Sequence, residues 1–402
     1  MTRYAPIGVI ADVTLGKMLQ PVPKLTTDRS MPYLRAAHVQ PGGRIDFDVV
    51  QKEMWFSKAD AVALDLKQGD AVVVEGGAGF GRSAYLKRDL TDWGFQNSIL
   101  RLRGESASDG RYLTYALSSA LDSGAIDAAC DAATFAHFTA EKVARFRVPF
   151  HSPDERKRIA DCLDHETGEI DAMLAKMDEL TQTLEERRIS MVRRETQFEA
   201  RGRRWETVPT AHLFGSIGSG TTPKDQRHYT ESGDGVPWVT TSELREAVVT
   251  GTNKQVTQEA IAEVSSLRIH PAGAVIIAMY GATIGRLGVL GVDATMNQAC
   301  CAFSEPRGID MRFFYYTLWG QRDDIVRLAV GGGQPNISQT MLRRWRIPSP
   351  PPNEQVRIAD HLDEITGKID EMLAKTAELK NLLIERRAAL ITDVVTGKKQ
   401  VP

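Results

Sequence analysis

Two stretches of the chain share one pattern of apolar and polar positions. Residues 149–192 laid over 348–391, a shift of 199 without a gap, are identical at 23 of 44 positions. Chance does not give this, so the chain is a tandem duplication with a variable block ahead of each copy. Each copy predicts one long helix. Ser152-Pro153-Asp154-Glu155 is a start signal: a capping serine, a proline in the first turn, then acids at the positive end of the dipole. Pro350-Pro351-Pro352-Asn353-Glu354 does the same in the second copy.

A 3–4 spacing picks out Leu163, Glu166, Ile170, Met173, Met177, Leu180, Leu184, Arg187 and Met191 in the first copy. It picks out Leu362, Ile365, Ile369, Met372, Thr376, Leu379, Leu383, Arg386 and Leu390 in the second. This is a heptad seam and predicts coiled-coil packing. Two similar helices in one chain most simply pair with each other, antiparallel, with a globular block at either end. An axis near Leu174 and Leu373 would bring Arg187 and Arg188 beside Asp360 and Asp363, and Arg386 and Arg387 beside Asp161 and Asp164.

The blocks ahead of the helices show short β-branched runs broken by glycine-rich turns, which predict strands and loops. Ala71-Val72-Val73-Val74 with Gly77, Gly81 and Arg82 answers Val275-Ile276-Ile277-Ala278 with Gly281, Gly285 and Arg286. Phe138-Thr139 before Arg147-Val148-Pro149 answers Ile337-Ser338 before Arg346-Ile347-Pro348. The expected fold is therefore α+β: two similar α/β recognition domains separated by a long antiparallel two-helix coiled coil, as a pseudo-two-fold repeat. The expected boundaries are 1–150 for the first domain, 151–198 for the first helix, 199–349 for the second domain and 350–402 for the second helix and tail.

Charge first argues against a nucleic-acid partner, because the net value for 402 residues is −2. Its placement reverses that. The helical copies carry 11 acids with 6 bases and 8 acids with 6 bases, so −5 and −2, which leaves +5 on the rest. The acidity belongs to the helices, and the blocks are mildly basic. Composition is globular, with 42% hydrophobic and 25% charged residues. The longest apolar run, Ala274 to Tyr280, is far shorter than a bilayer span. The N-terminus shows no export pattern, and Cys130, Cys162, Cys300 and Cys301 have no metal-ligand spacing. A cytoplasmic protein with reduced thiols and no metal of its own is expected.

Three motifs need weighing. Gly76-Gly77-Ala78-Gly79-Phe80-Gly81-Arg82-Ser83 nearly spells a phosphate loop, with arginine for lysine. A structural turn or a DNA-facing loop fits better, because no helix clearly follows. Pro153-Asp154-Glu155-Arg156-Lys157 holds the letters of a nuclease motif, but adjacent residues at a helix start cap the helix instead of forming a metal cup. Gly168 and Gly367 recur inside the helices, facing away from the seam; they mark either a local bend or a close-docking partner helix.

The chain resembles the specificity subunit of type I restriction–modification systems. The residues that carry the resemblance are Pro348, Pro350, Glu354-Gln355, Ile358, Leu362 and Ile369-Asp370, then Glu385-Arg386-Arg387-Ala388-Ala389-Leu390-Ile391-Thr392 with Val395-Thr396-Gly397. Gly220-Thr221-Thr222-Pro223-Lys224, Val236 to Thr240 and Gly333-Gln334-Pro335-Asn336-Ile337-Ser338 add to it. The first copy departs at Arg156, where the family has glutamine, and has no clear counterpart of Gly333 to Asn336 near Ala133 to Ala136. The resemblance implies a non-catalytic DNA-reading scaffold. Each recognition domain would read half of a bipartite, asymmetric site in double-stranded DNA. Partners would be two adenine-N6 methyltransferase subunits and ATP-dependent restriction subunits, with S-adenosylmethionine, ATP and Mg2+ held by those partners. A self-contained methyltransferase or nuclease, or a protein-only coiled-coil adaptor, are the alternatives.

Candidate DNA contacts in the first block are Arg35, His38, Arg82, Ser83 and Lys87. In the second they are Thr222, Lys224, Thr240, Thr241, Ser242, Tyr280 and Arg286, with Gln334 and Asn336 suited to pairing with adenine. Gly168 and Gly367 are the candidate subunit contacts.

Overall fold

A computed structural model describes residues 3–130, 137–197, 205–231, 233–329 and 336–401. The chain divides into two compact units. The first comprises Met1–Asp178 with Ala377–Pro402, the second Glu179–Thr376. The four helices that matter below are α1 (Ala107–Asp122), α2 (Pro153–Thr196), α3 (Met311–Gly320) and α4 (Pro352–Val395).

In the first unit, a four-stranded sheet runs in the order Ala11–Leu15, Ile99–Gly104, Ala71–Val74, Ser83–Tyr85. Beside it lies a three-stranded sheet of Glu53–Phe56, Arg29–Leu34 and Gly94–Phe95. The all-apolar run Ala71–Val74 is buried on both faces, which explains why it does not alternate. Its Ala71 and Val73 face one core with Leu100, Tyr112 and Leu117, while Val72 and Val74 face another with Leu34, Phe56 and Phe95. Tyr4–Pro6 pairs with Arg147–Pro149 and closes the domain just before α2 begins.

The second unit repeats this plan. A five-stranded sheet runs Phe214–Ser219, Cys300–Pro306, Val275–Ala278, Leu287–Leu290, Ala247–Val249. A four-stranded sheet contains Val236–Val239 at its third position. Thr207–Pro209 with Arg346–Pro348 makes the closing pair. Cys300 and Cys301 are sealed in the second strand of the five; burial pushes both thiols up, Cys301 to about 12, so they stay protonated and inert. No helix of the described residues is long and apolar enough to cross a membrane.

Within each unit the long helices pair antiparallel. In the first, Arg387 Nε donates to Asp171 at 2.9 Å and Lys380 meets Asp178. In the second, Arg188 Nη1 donates to Asp370 at 2.5 Å. The direction is as expected, but the register is not. The arginines meet acids seven residues, two turns, beyond Asp164 and Asp363. Those nearer acids are already engaged. Arg111 of α1 pairs with Asp161 and Asp164, and Arg312 of α3 pairs with Asp360 and Asp363. The acids thus fasten each domain to its helix. Tyr115 and Tyr316 complete the fastening, donating to Asp164 and Asp363 at 2.7 Å in each copy.

The seam also takes the other heptad phase. Thr167, Leu174, Thr366 and Leu373 turn inward, whereas Met173, Leu180, Met372 and Leu379 are exposed. The buried Thr167 and Thr366 hydroxyls donate to the carbonyls four residues back, at 2.6 and 2.7 Å. This local bond lets a polar side chain sit in the seam without an unmet donor.

Candidate nucleic-acid interface

The same frame of main-chain hydrogen bonds gathers the same loops in both units. In the first, Gln96 N donates to Leu34 O, Glu75 N to Ser98 O and Phe138 N to Glu75 O, at 2.9, 3.0 and 2.8 Å. In the second, Asn297 N donates to Val239 O, Met279 N to Ala299 O and Ile337 N to Met279 O, at 2.9, 2.7 and 2.7 Å. A bridge joins Gly76 to His137 in one and Tyr280 to Asn336 in the other. Each frame therefore holds three crossings together: the turn after the central strand, the loop before its neighbour, and the segment before a short helix, Ala140–Arg145 in one unit and Gln339–Arg344 in the other.

The glycine-arginine turns are duplicated to the atom. Gly81 N bonds Val74 O and Arg82 N bonds Gly79 O; Gly285 N bonds Ala278 O and Arg286 N bonds Thr283 O. Gly81 and Gly285 have φ of +74° and +78°, a region that disfavours any side chain. A Cβ there would also stand 2.8 Å from Leu121 and 2.7 Å from Val326. A strand follows each turn, Ser83–Tyr85 and Leu287–Leu290, where a phosphate loop needs a helix N-terminus. The motif is a hairpin turn. Arg82 and Arg286 leave it half-buried, and neither guanidinium has a hydrogen-bond or ion-pair partner among the described residues.

In the second unit the frame brings together Thr222, Tyr280 and Asn336. Thr222 donates to the Gln298 amide oxygen, and Tyr280 is half-buried. Burial raises the Tyr280 phenol, which stays protonated as a donor. Asn336 and Ser242 are exposed, and Thr241 is half-buried. The Thr240 hydroxyl is spent internally, donating to Glu243 at 2.5 Å, while Glu243 also accepts Thr240 N at 2.8 Å. Lys224 lies exposed on the same loop as Thr222. Gln334 lies outside the described residues, as do Gly333, Pro335 and Ala133 to Ala136.

In the first unit two of the candidates, His38 and Ser83, are closed to solvent. His38 is fully closed to solvent; its Nδ1 accepts Arg35 N at 3.1 Å, the role Glu243 plays for Thr240. It closes a turn and reaches no ligand, and burial lowers its pKa. Ser83 is buried in its strand and donates to Thr114 O at 3.2 Å. Lys87 is exposed but sits at the far end of that strand from Arg82, in a cleft with Tyr85, Arg111 and Lys157. Arg35 is half-buried, and its Nη2 donates to Val50 O at 3.0 Å. Sequence reasoning missed His137 and Gln298. The first stands exposed opposite Gly76, where Asn336 stands opposite Tyr280. The shared Phe138-Thr139 and Ile337-Ser338 anchors already placed it there.

Such a cluster offers donors, acceptors and unpaired cations on one set of loops, the chemistry of base and phosphate contact. Among the described residues, no three His, Cys, Asp or Glu side chains gather as metal ligands. Residues 203–381 match the type I restriction modification DNA specificity domain. The match to this specificity domain takes in the second loop cluster and α4 as far as residue 381.

Curated relatives agree. The chain is 28% identical over 184 residues to the EcoR124I/EcoR124II specificity subunit of Escherichia coli, covering 44% of this chain and 45% of that one. It is 27% identical over 175 residues to the MjaIX specificity subunit of Methanocaldococcus jannaschii, covering 41% and 40%. The alignments thus span less than half the length of these relatives. In structure, a chain from work on complex assembly and conformational transition of the type I R-M system superposes with a TM-score of 0.79 at 16% identity, covering 99% of this chain and 98% of that one. The HsdS subunit from Thermoanaerobacter tengcongensis gives 0.55 at 16%, covering 99% and 97%. These likenesses establish the fold of the specificity subunits.

Proposed function

We propose that this chain is the sequence-specific DNA-recognition subunit of a type I restriction–modification complex, cytoplasmic and not itself catalytic. One observation carries the reading. Two loop clusters share a main-chain frame bond for bond and differ in the side chains mounted on it. Tyr280, Gln298 and Asn336 stand where the first unit has Gly76, Asn97 and His137. A common frame with different readers suits two unlike half-sites, since each base pair shows its own donor and acceptor pattern in the major groove. The unpaired Arg82 and Arg286 suit phosphate or guanine.

Methyl transfer to adenine N6 requires the base to leave the stack. That chemistry, with S-adenosylmethionine, falls to two methyltransferase subunits, one per repeat copy. ATP and Mg2+ belong with restriction subunits. Gly168 and Gly367 support helix-side docking of such partners. Both are exposed, and a Cβ at either would meet nothing within 4 Å, so packing inside the chain does not demand glycine there. A mid-helix glycine nevertheless costs about 1 kcal/mol relative to alanine. Close approach by a partner helix explains its presence twice.

The test is methylome sequencing of a host expressing the chain with its methyltransferase. The expected outcome is methylation at one bipartite site. Asn336→Ala with Tyr280→Phe should relax one half-site and leave the other unchanged. Methylation by the chain alone, or relaxation of both halves together, would overturn the reading.

A further inference from the structure

The first unit carries an exposed apolar tip where the second carries a polar contact. Leu15 pairs with Leu100 as Ser219 pairs with Cys301. Lys17 N donates to Phe95 O, and Thr221 N to Met296 O, both at 2.9 Å. Met18 therefore occupies the place of Thr222, the residue bonded to Gln298 in the second cluster. A close approach fixes that place in both units: a Cβ on Gly16 would stand 2.3 Å from Gln96 O, and one on Gly220 1.9 Å from Met296 O.

Met18 is 75% exposed and Leu19 54%, unusual for large apolar side chains on one loop. The loop that presents them is built, not slack. The buried Asp28 carboxylate accepts Lys24 N at 2.8 Å, Leu25 N at 3.2 Å and Gln20 Nε2 at 3.2 Å. Trp55 N donates to Gln20 O at 2.9 Å, and Pro21 and Pro23 restrict the chain between. Val22 and Leu25 are exposed on the same loop. These bonds fix the backbone on either side of Met18, and its unbranched, polarizable thioether can adapt its shape to an apolar ligand group.

We infer that Met18 reads the 5-methyl group of a thymine, making the first half-site depend on apolar contact where the second depends on hydrogen bonds. The inference rests on the DNA-recognition reading above. Thymine is the base whose major-groove edge offers a methyl, and apolar side chains recognise it by contact.

The test uses the complex of the full chain with its methyltransferase. Once the methylome gives the site, duplexes are made with each thymine replaced in turn by deoxyuridine, which differs by that methyl alone. Burying one methyl is worth about fourfold in affinity. One replacement, in one half-site, should weaken binding about fourfold with the native chain and have no effect with Met18→Ser. Uniform binding across the uracil series would overturn the inference. So would a Met18→Ser protein that keeps the discrimination and instead loses its methyltransferase. A wedge between base steps gives the uniform result, because uracil stacks as thymine does. If the complex methylates no defined site, the recognition reading itself falls, which is a different outcome.

Discussion

Arg156 Nε donates to Asp109 Oδ1 at 2.7 Å, and both side chains are nearly closed to solvent, 9% and 2% exposed. The equivalent of Arg156 in the second copy is Gln355, which accepts Asp310 N at 2.7 Å and donates to Pro350 O at 2.8 Å. The two copies use a charged and a neutral solution at the same junction between domain and helix. Arg156 also donates to His151 O at 2.9 Å, as Gln355 does to the equivalent Pro350. Removing one partner of a buried ion pair leaves the other uncompensated, at a cost of about 3–5 kcal/mol. Arg156→Met should therefore destabilise the first unit by about that much. Gln355→Met should cost the second about 1–3 kcal/mol, the price of neutral groups left unmet. Urea unfolding of both variants, with Asp109→Asn closing a double-mutant cycle, checks the difference.

The helix register gives a second prediction. Arg387 is mostly buried against Asp171 and also reaches Gly42 O at 2.8 Å. Arg387→Asp should lower the melting temperature, and adding Asp171→Arg should recover part of the loss. Adding Asp164→Arg should recover none, since Asp164 faces Arg111, Tyr85 and Tyr115. Recovery through Asp164 would return the register to the one expected from sequence.

That pair shows what the sequence could and could not convey. The duplication and the helix direction were legible because the repeat preserves Asp161, Asp164, Arg187 and Arg188 beside Asp360, Asp363, Arg386 and Arg387. The partner of each acid was not, since Arg111 and Arg312 lie about 50 residues away and reach the helix only through the folded domain. The heptad phase was ambiguous for a related reason. Met173 and Leu180 have the chemistry of a seam but face solvent, while Thr167 hides its hydroxyl on its own backbone. In the loops, the glycines were readable because a turn demands them. His38 was not, since its role as a turn acceptor is taken by Glu243 in the other copy and no shared letter marks it.

Acid should loosen the first junction in a defined window. Hydrogen bonding from Arg111, then Lys157, holds the Asp161 carboxyl below its ordinary value of 3.8. A depressed pKa adds stability that is complete above the unfolded value and lost as pH falls through the folded one. The melting-temperature gap between the native chain and Asp161→Asn should be constant above about pH 4 and shrink steadily below it. A gap that persists to the lowest pH would mean that the carboxylate charge contributes nothing there.

The turn arginines give the last prediction. Arg82 and Arg286 emerge from hairpins whose glycines cannot be replaced without strain, so each guanidinium is aimed by backbone and not by a side-chain partner. A cation positioned in this way serves phosphate, and its removal should weaken binding across all sequences while releasing about one counterion fewer. For complexes of Arg82→Ala or Arg286→Ala, the slope of log affinity against log salt should each fall by about one, and the methylated sequence should stay the same. Gly81→Ala, by contrast, should act on stability first, because it forces a side chain into a left-handed turn and against Leu121. If instead Arg82→Ala keeps the native salt slope but tolerates a changed base at one position, that arginine reads guanine. The frame would then be delivering a specificity contact from the turn as well as from the loops around Tyr280.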